Sequence, residues 1–176
     1  CTSLKNFTLP DTFLRMESYA FSESGIESIV IPESTVYLGS NAFSYSALKE
    51  VTILSSLTAV SSQGSDVFMN CEDLTTATMM YITKISSGWF ENCTALTTVN
   101  YDPSLITHIY ASAFNYCTSL KEITIDVETI NYLYTSFEGW TADQTIKLVG
   151  SGRAYAALEE DSDWLNNCSA QLVLVE

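Results

Sequence analysis

The chain is predicted to fold as a solenoid of short stacked coils, and three observations carry that expectation. A Phe recurs at 21, 43, 68, 90, 114 and 137, with spacings of 22, 25, 22, 24 and 23 residues. Three residues after each Phe stands a small or buried-type residue: Ser24, Ser46, Cys71, Cys93, Cys117 and then Trp140. An apolar triplet spaced three and two follows, as in Ile26-Ile29-Ile31, Leu48-Val51-Ile53, Leu74-Ala77-Met79, Leu96-Val99-Tyr101 and Leu120-Ile123-Ile125. A period of about 20–29 residues with this content marks a leucine-rich repeat solenoid, because one repeat cannot bury its apolar face alone and stacked repeats can.

Each element of the repeat follows from its residues. The opening residues Cys1, Leu4, Phe7 and Leu9 enter in the triplet register. The end of each triplet, such as Ile29-Val30-Ile31 or Ile123-Thr124-Ile125, alternates and is rich in β-branched residues, so it predicts a short strand. Stacked in register, these strands are expected to run parallel in one ladder of a right-handed solenoid. Pro10, Pro32 and Pro103 lie at or near strand ends, where a residue that cannot donate to a ladder marks the exit into a turn. The second half of each repeat carries an apolar residue before the Phe, such as Leu38, Ile85 and Ile109, and is expected to be an irregular or short-stranded return wall. It sends each Phe inward, where burial contributes roughly 1.5–3 kcal/mol. The organisation expected is about six and a half repeats of ~23 residues over 1–149, followed by a C-terminal cap over 150–176. The pattern changes at Gly150-Ser151-Gly152; Ala154 to Glu160 favours a short helix, and Gln171 to Val175 a final strand. Trp164, Leu165, Leu172 and Leu174 are expected to cover the last coil. The chain opens in mid-pattern with no signal peptide before Cys1, as expected of a piece of a longer protein, and the strand at Phe7–Leu9 is expected to be open on one side.

The phrase Ala113-Phe114-Asn115-Tyr116-Cys117-Thr118-Ser119-Leu120-Lys121-Glu122-Ile123-Thr124-Ile125 resembles the BspA-like, Treponema-type leucine-rich repeat. Ala42-Phe43 through Ile53 matches with Ser46 for Cys, and the resemblance covers residues 1 to about 148. Repeat three departs from it by an insertion around Ser62-Gln63-Gly64-Ser65, and repeat four by Ala77-Thr78-Met79. The resemblance implies an extracellular or cell-surface protein, adhesin-like, whose partner is a protein or glycan such as a host matrix component or another cell's surface.

Composition narrows the partners. Net charge is −14 with seven Lys and Arg, so a nucleic acid, which needs clustered cations, is a poor partner. An anionic membrane is disfavoured for the same reason, and no stretch is apolar enough to span a bilayer. The Cys column at 71, 93 and 117 is expected to hold buried, reduced thiols, since parallel Cβ vectors suit disulfides poorly. His108, beside Ile109, is taken as a surface residue of a return loop. Nucleophilic catalysis commonly needs a base beside the nucleophile, and His108 is the one His in the chain. The acids Glu159, Glu160, Asp161 and Asp163 fall in the cap and suit a solvated face. No cofactor, metal or enzymatic activity is expected. Sequons at Asn6, Asn92 and Asn167 matter only in a glycosylating host.

The outward strand positions form the expected recognition surface: Thr8, Glu50, Thr52, Thr76, Thr78, Thr98, Asn100, Glu122 and Thr124, flanked by Asn6, Ser28, Val30, Thr145 and Lys147. Thr suits exposed strand positions for backbone reasons alone. Solenoids also use such faces for binding. Glu50, Glu122, Val30 and Lys147 interrupt the Thr array, which speaks against ice binding. The function expected is a non-enzymatic binding module, with a structural spacer as the alternative; clustered exposed aromatics would favour binding.

Overall fold

The computed structural model describes residues 2–57, 63–151 and 162–175. It is a parallel β-solenoid whose coils contribute one strand each to a main face and, in most coils, a shorter one to a return wall. The main-face strands are β2 (Ser28–Ile31), β4 (Glu50–Ile53), β5 (Thr76–Met79), β7 (Thr98–Tyr101), β9 (Glu122–Asp126), β11 (Thr145–Val149) and β12 (Gln171–Val175). The return wall holds the two-residue strands β1 (Arg15–Met16), β3 (Tyr37–Leu38), β6 (Lys84–Ile85), β8 (His108–Ile109) and β10 (Tyr132–Leu133). Among the described residues the helical content is two short 3₁₀ turns, Pro103–Leu105 and Ser162–Leu165. The expected helix over Ala154 to Glu160 lies outside the described residues.

The Phe column forms as predicted from Phe43 onward. Neighbouring rings stack nearly parallel, with centroids 5.6 Å apart for Phe43–Phe68, 5.5 Å for Phe68–Phe90 and Phe90–Phe114, and 6.0 Å for Phe114–Phe137. Edge-on rings end it: Trp140 and Trp164 against Phe137. At the other end Phe21 is only half-buried, and Phe7, expected inward, is 41% exposed and tilted over Phe21. The cause is geometric, since a ring in a column is covered only when a coil lies on each side of it.

Around each Phe the backbone makes a run of tight turns whose alternate N–H groups point along the stack. Ser46 N, for example, bonds within its turn to Phe43 O, while Phe43 N reaches Val67 O of the next coil at 2.8 Å. Aiming N–H groups this way requires left-handed φ at two places per coil. One series is Tyr19, Asn41, Asp66, Gly88 and Ser112; the other is Glu23, Tyr45, Asn70, Asn92, Tyr116 and Gly139. The non-glycine members each carry a local cost of about 1–2 kcal/mol, offset by the inter-coil bond each N–H makes. Asn and Asp recur there because they tolerate this region best.

The second column also forms. Cys71, Cys93 and Cys117 are free and buried. Each Sγ donates to the carbonyl of the previous coil's Phe: Cys71 to Phe43 O at 3.1 Å, Cys93 to Phe68 O at 3.2 Å and Cys117 to Phe90 O at 3.1 Å. Trp140 Nε1 does the same to Phe114 O at 2.9 Å. Burial pushes the Cys71 thiol up to about 11 and raises the Cys93 and Cys117 thiols well above their ordinary value. These thiols stay protonated near neutral pH and act as packing groups with a weak donor.

The strand ladder departs from the prediction of one continuous sheet. β2-β4-β5-β7 forms one sheet and β9-β11-β12 another. The break falls at Tyr101, which stands where other coils have Ile, Leu or Met. Its hydroxyl donates to Thr124 O, and Thr124 N donates back to it at 3.1 Å. A side chain thus takes the place of a backbone rung, and Val99 and Tyr101 are left half-buried where their counterparts Val51 and Ile53 are buried. The return wall breaks as well, between β3 and β6. There the Gln63 amide does a strand's work: Leu38 N donates to Oε1 at 3.1 Å and Nε2 donates to Val36 O at 3.3 Å. At the C-terminal end β12 pairs in register with β11, and Trp164 is buried. Leu172 and Leu174 remain 37% exposed.

Candidate binding surface

The parallel register determines which of the predicted face residues meet. In the first sheet Ser28, Glu50, Thr76 and Thr98 align across the strands, as do Val30, Thr52, Thr78 and Asn100. Asn100 Nδ2 donates to Thr78 Oγ1 at 3.1 Å, which fixes that corner. Glu122 and Thr124 lie beyond the break on β9, aligned with Thr145 and Lys147 of β11. Lys147 Nζ pairs with Glu122 at 2.7 Å. The nine residues therefore form two patches separated at Tyr101.

Thr8, Glu50 and Thr52 come together in an open groove of about 620 Å³ over the first coils. Ser28, Val30 and Phe7 also line it, and Val30 and Phe7 expose apolar surface there. Asp11, Glu33 and Glu50 supply carboxylates to its lining, and no Lys or Arg among the described residues lines it. None of the three makes an ion pair among the described residues, whereas Glu27 on the same side is shared by Lys49 at 2.8 Å and Lys5 at 3.5 Å. Lys49, then Lys5, hold the Glu27 carboxyl below its usual range. The groove is therefore acidic and apolar at once. Thr8, Glu50 and Thr52 were legible from the register. Asp11 and Glu33 were not, because they sit in the turns past the strands, where sequence periodicity gives no direction.

A second surface lies on the return wall, and sequence reasoning missed it. His108 belongs to β8 rather than to a loop, and it is half-buried rather than a free surface residue. Its Nδ1 and Thr107 Oγ1 share a hydrogen bond of 2.8 Å. Its ring packs 5.6 Å from Tyr110 and 4.9 Å from Tyr132. Tyr134 completes the group, 5.6 Å from Tyr110 and 6.3 Å from Tyr132 with planes within 13°. The available signal was the pairing of His108 with Tyr132 and of Tyr110 with Tyr134, each 24 residues apart, one repeat. Burial, then the charge of Lys84, lowers the His108 pKa below its ordinary value.

The profile of the BspA type leucine rich repeat region (6 copies) matches residues 1–93 and, in an overlapping placement, 59–151. The chain belongs to this family. Among solved structures it is similar to a leucine-rich repeat protein from Bacteroides ovatus, with a TM-score of 0.75 at 20% identity. That likeness covers 98% of this chain and 49% of the other, so the chain spans about half the length of that relative. At this identity the likeness speaks for the fold alone. No curated protein matches the chain significantly. No helix among the described residues is long and apolar enough to cross a membrane.

Proposed function

We propose that this BspA-type repeat module is a non-enzymatic, adhesin-like binding unit of a secreted or surface protein, and that its first-sheet groove takes a basic, partly apolar segment of a partner protein. The observation that supports this is the groove itself, with carboxylates of Asp11, Glu33 and Glu50 around apolar Val30 and Phe7 and no lining cation among the described residues. Lys or Arg side chains of a partner would find unpaired carboxylates there, while Val30 and Phe7 exclude water beneath them. Thr52, Thr76 and Thr78 continue the face for a longer ligand. Charge complementarity of this kind raises association rates and gives specificity.

The test is surface-immobilised binding of the 176-residue chain to a panel of matrix proteins and to a ten-residue peptide alternating Lys and Val. Binding should weaken as salt rises and fall at least about tenfold in Glu50→Lys, because a like charge facing the ligand is strongly unfavourable. Absence of binding across the panel, or binding indifferent to Glu50→Lys, would overturn the groove assignment. The first of these outcomes would turn the balance toward a spacer that holds another domain away from the cell.

A further inference from the structure

The return wall carries a feature that the groove reading does not use. His108 and Tyr132 align across β8 and β10, and Tyr110 and Tyr134 follow two residues later on the same side. The four rings form a two-by-two array, two coils long and two rings wide, with interplanar angles of 12° to 31°. Tyr132 is 55% and Tyr134 44% exposed. Lys84 aligns with His108 at the array's edge. Lys5, Lys49, Lys121 and Lys147 all pair with carboxylates, whereas Lys84 pairs with none among the described residues. The array's own positions and the preceding coil's Lys84 and Ser86 include no carboxylate, while on the following coil's side Thr135 Oγ1 donates to the backbone carbonyl of Asp163. On a chain of net charge −14 the array's own positions carry no carboxylate, and they have hydroxyl donors and, at the β6 edge, the Lys84 ammonium.

We infer that the array formed by His108, Tyr110, Tyr132 and Tyr134 is a second binding site, which takes an uncharged glycan. Two considerations favour sugar over protein. The first is size: an aromatic side chain offers about 150–250 Å², and with Tyr132 and Tyr134 about half exposed and His108 and Tyr110 less so, the four rings present at most about 400 Å². A stable protein interface needs roughly 800 Å² from each partner, whereas one or two pyranose rings need far less. The second is pitch. Neighbouring coils are ~5 Å apart, close to the width of a sugar ring, so consecutive sugars can meet consecutive coils; an extended peptide advances ~3.3 Å per residue and drifts out of step. Aromatic faces carry partial negative charge and attract the C–H faces of a pyranose. The Tyr hydroxyls and Lys84 can serve its hydroxyl groups. The chain's overall negative charge disfavours a polyanionic sugar.

The experiment is isothermal titration of the 176-residue chain with cellopentaose, maltopentaose, chitopentaose and pentagalacturonate, together with gelatin binding as a protein control. At least one neutral pentasaccharide should bind. Tyr132→Ala should weaken it up to about tenfold, the worth of one ring contact. Tyr134→Ala should act similarly, and Lys84→Gln less, each with an unchanged melting temperature. If the Ala variants melt early, Tyr132→Ser and Lys84→Gln provide the same comparison. Glu50→Lys should leave sugar binding intact, which separates this site from the groove. Failure of all three neutral sugars to bind, tighter binding of pentagalacturonate, or Tyr132→Ala affecting gelatin binding alone would each overturn the assignment.

Discussion

The turn column and the strand ladders of this solenoid are built on the same repeat but tolerate irregularity differently. Around the Phe residues the forward bonds run without interruption from Tyr19 N to Ser40 O through Tyr116 N to Glu138 O. The main-face ladder breaks at Tyr101 and the return ladder at Gln63. The difference lies in what each region needs. In the turns, the ring stack, the thiol donors and the left-handed residues all depend on one register, so a slip would lose all three together. A strand rung is a pair of backbone bonds, and one well-placed amide or hydroxyl can supply the same donor and acceptor. The column therefore carries continuity, and the ladders are where the sequence can vary.

Removing a ring from the column is the severest way to break that comparison. Phe114→Ala should cost about 3–5 kcal/mol, since it leaves a cavity between Phe90 and Phe137. Urea denaturation measures this directly. A loss under about 1 kcal/mol would mean that the stack collapses freely and that continuity resides elsewhere.

The substitute rungs should follow. Gln63→Leu keeps the volume but removes the donor to Leu57 O at 2.6 Å and the contacts with Leu38 N of β3 and Val36 O just before it. Orphaning these backbone groups should cost about 1–3 kcal/mol and speed amide exchange at Leu38. Unchanged exchange at Leu38 would show that water replaces the amide without loss. Tyr101→Phe keeps the ring and removes one hydroxyl that serves both N–H and C=O of Thr124. Tyr101 is only half-buried, so a net loss of about 0.5–1.5 kcal/mol is expected, with faster exchange at Thr124. An effect larger than that of Phe114→Ala would reverse the ranking of column over ladder.

These sites also show what the sequence can and cannot reveal. The Phe and Cys columns and the strand positions were legible because a repeat multiplies one weak signal several times. The breaks were not, because each rests on one residue acting across coils. Tyr101 occupies an apolar slot and passes for one more core residue until its hydroxyl is placed. Gln63 sits in an insertion that pattern matching marks as irregular, yet it restores the pairing the insertion removed. The half-exposure of Phe21, Leu172 and Leu174 was missed for another reason, since a residue's place in the repeat says nothing about whether a neighbouring coil covers it. In the binding surfaces the register located Thr8, Glu50 and Thr52. The aromatic array on the return wall escaped notice because outward positions of two-residue strands are too short to show alternation.

The smallest effect should come from ion pairing between coils at the exposed rim, which sharpens the contrast with buried rungs. Lys121 Nζ bonds Asp143 one coil later, and Thr141 Oγ1 donates to the same carboxylate. Lys121 first, then Thr141, hold the Asp143 carboxyl at about 2, against an ordinary 3.8. A carboxyl depressed on folding contributes stability that is full above its unfolded value and is lost as pH falls through the folded one. The contribution of Asp143 should therefore be level from neutral pH down to about 4 and fade between about 4 and 2. Both partners are largely exposed, so salt should screen it as well. Asp143→Asn compared with the parent chain at pH 6, 4, 3 and 2 isolates this group from the general protonation of the other carboxylates. The stability gap should be small at pH 6, shrink below pH 4 and close near pH 2. A gap that persists unchanged to pH 2 would show that the contact does not depend on the Asp143 charge.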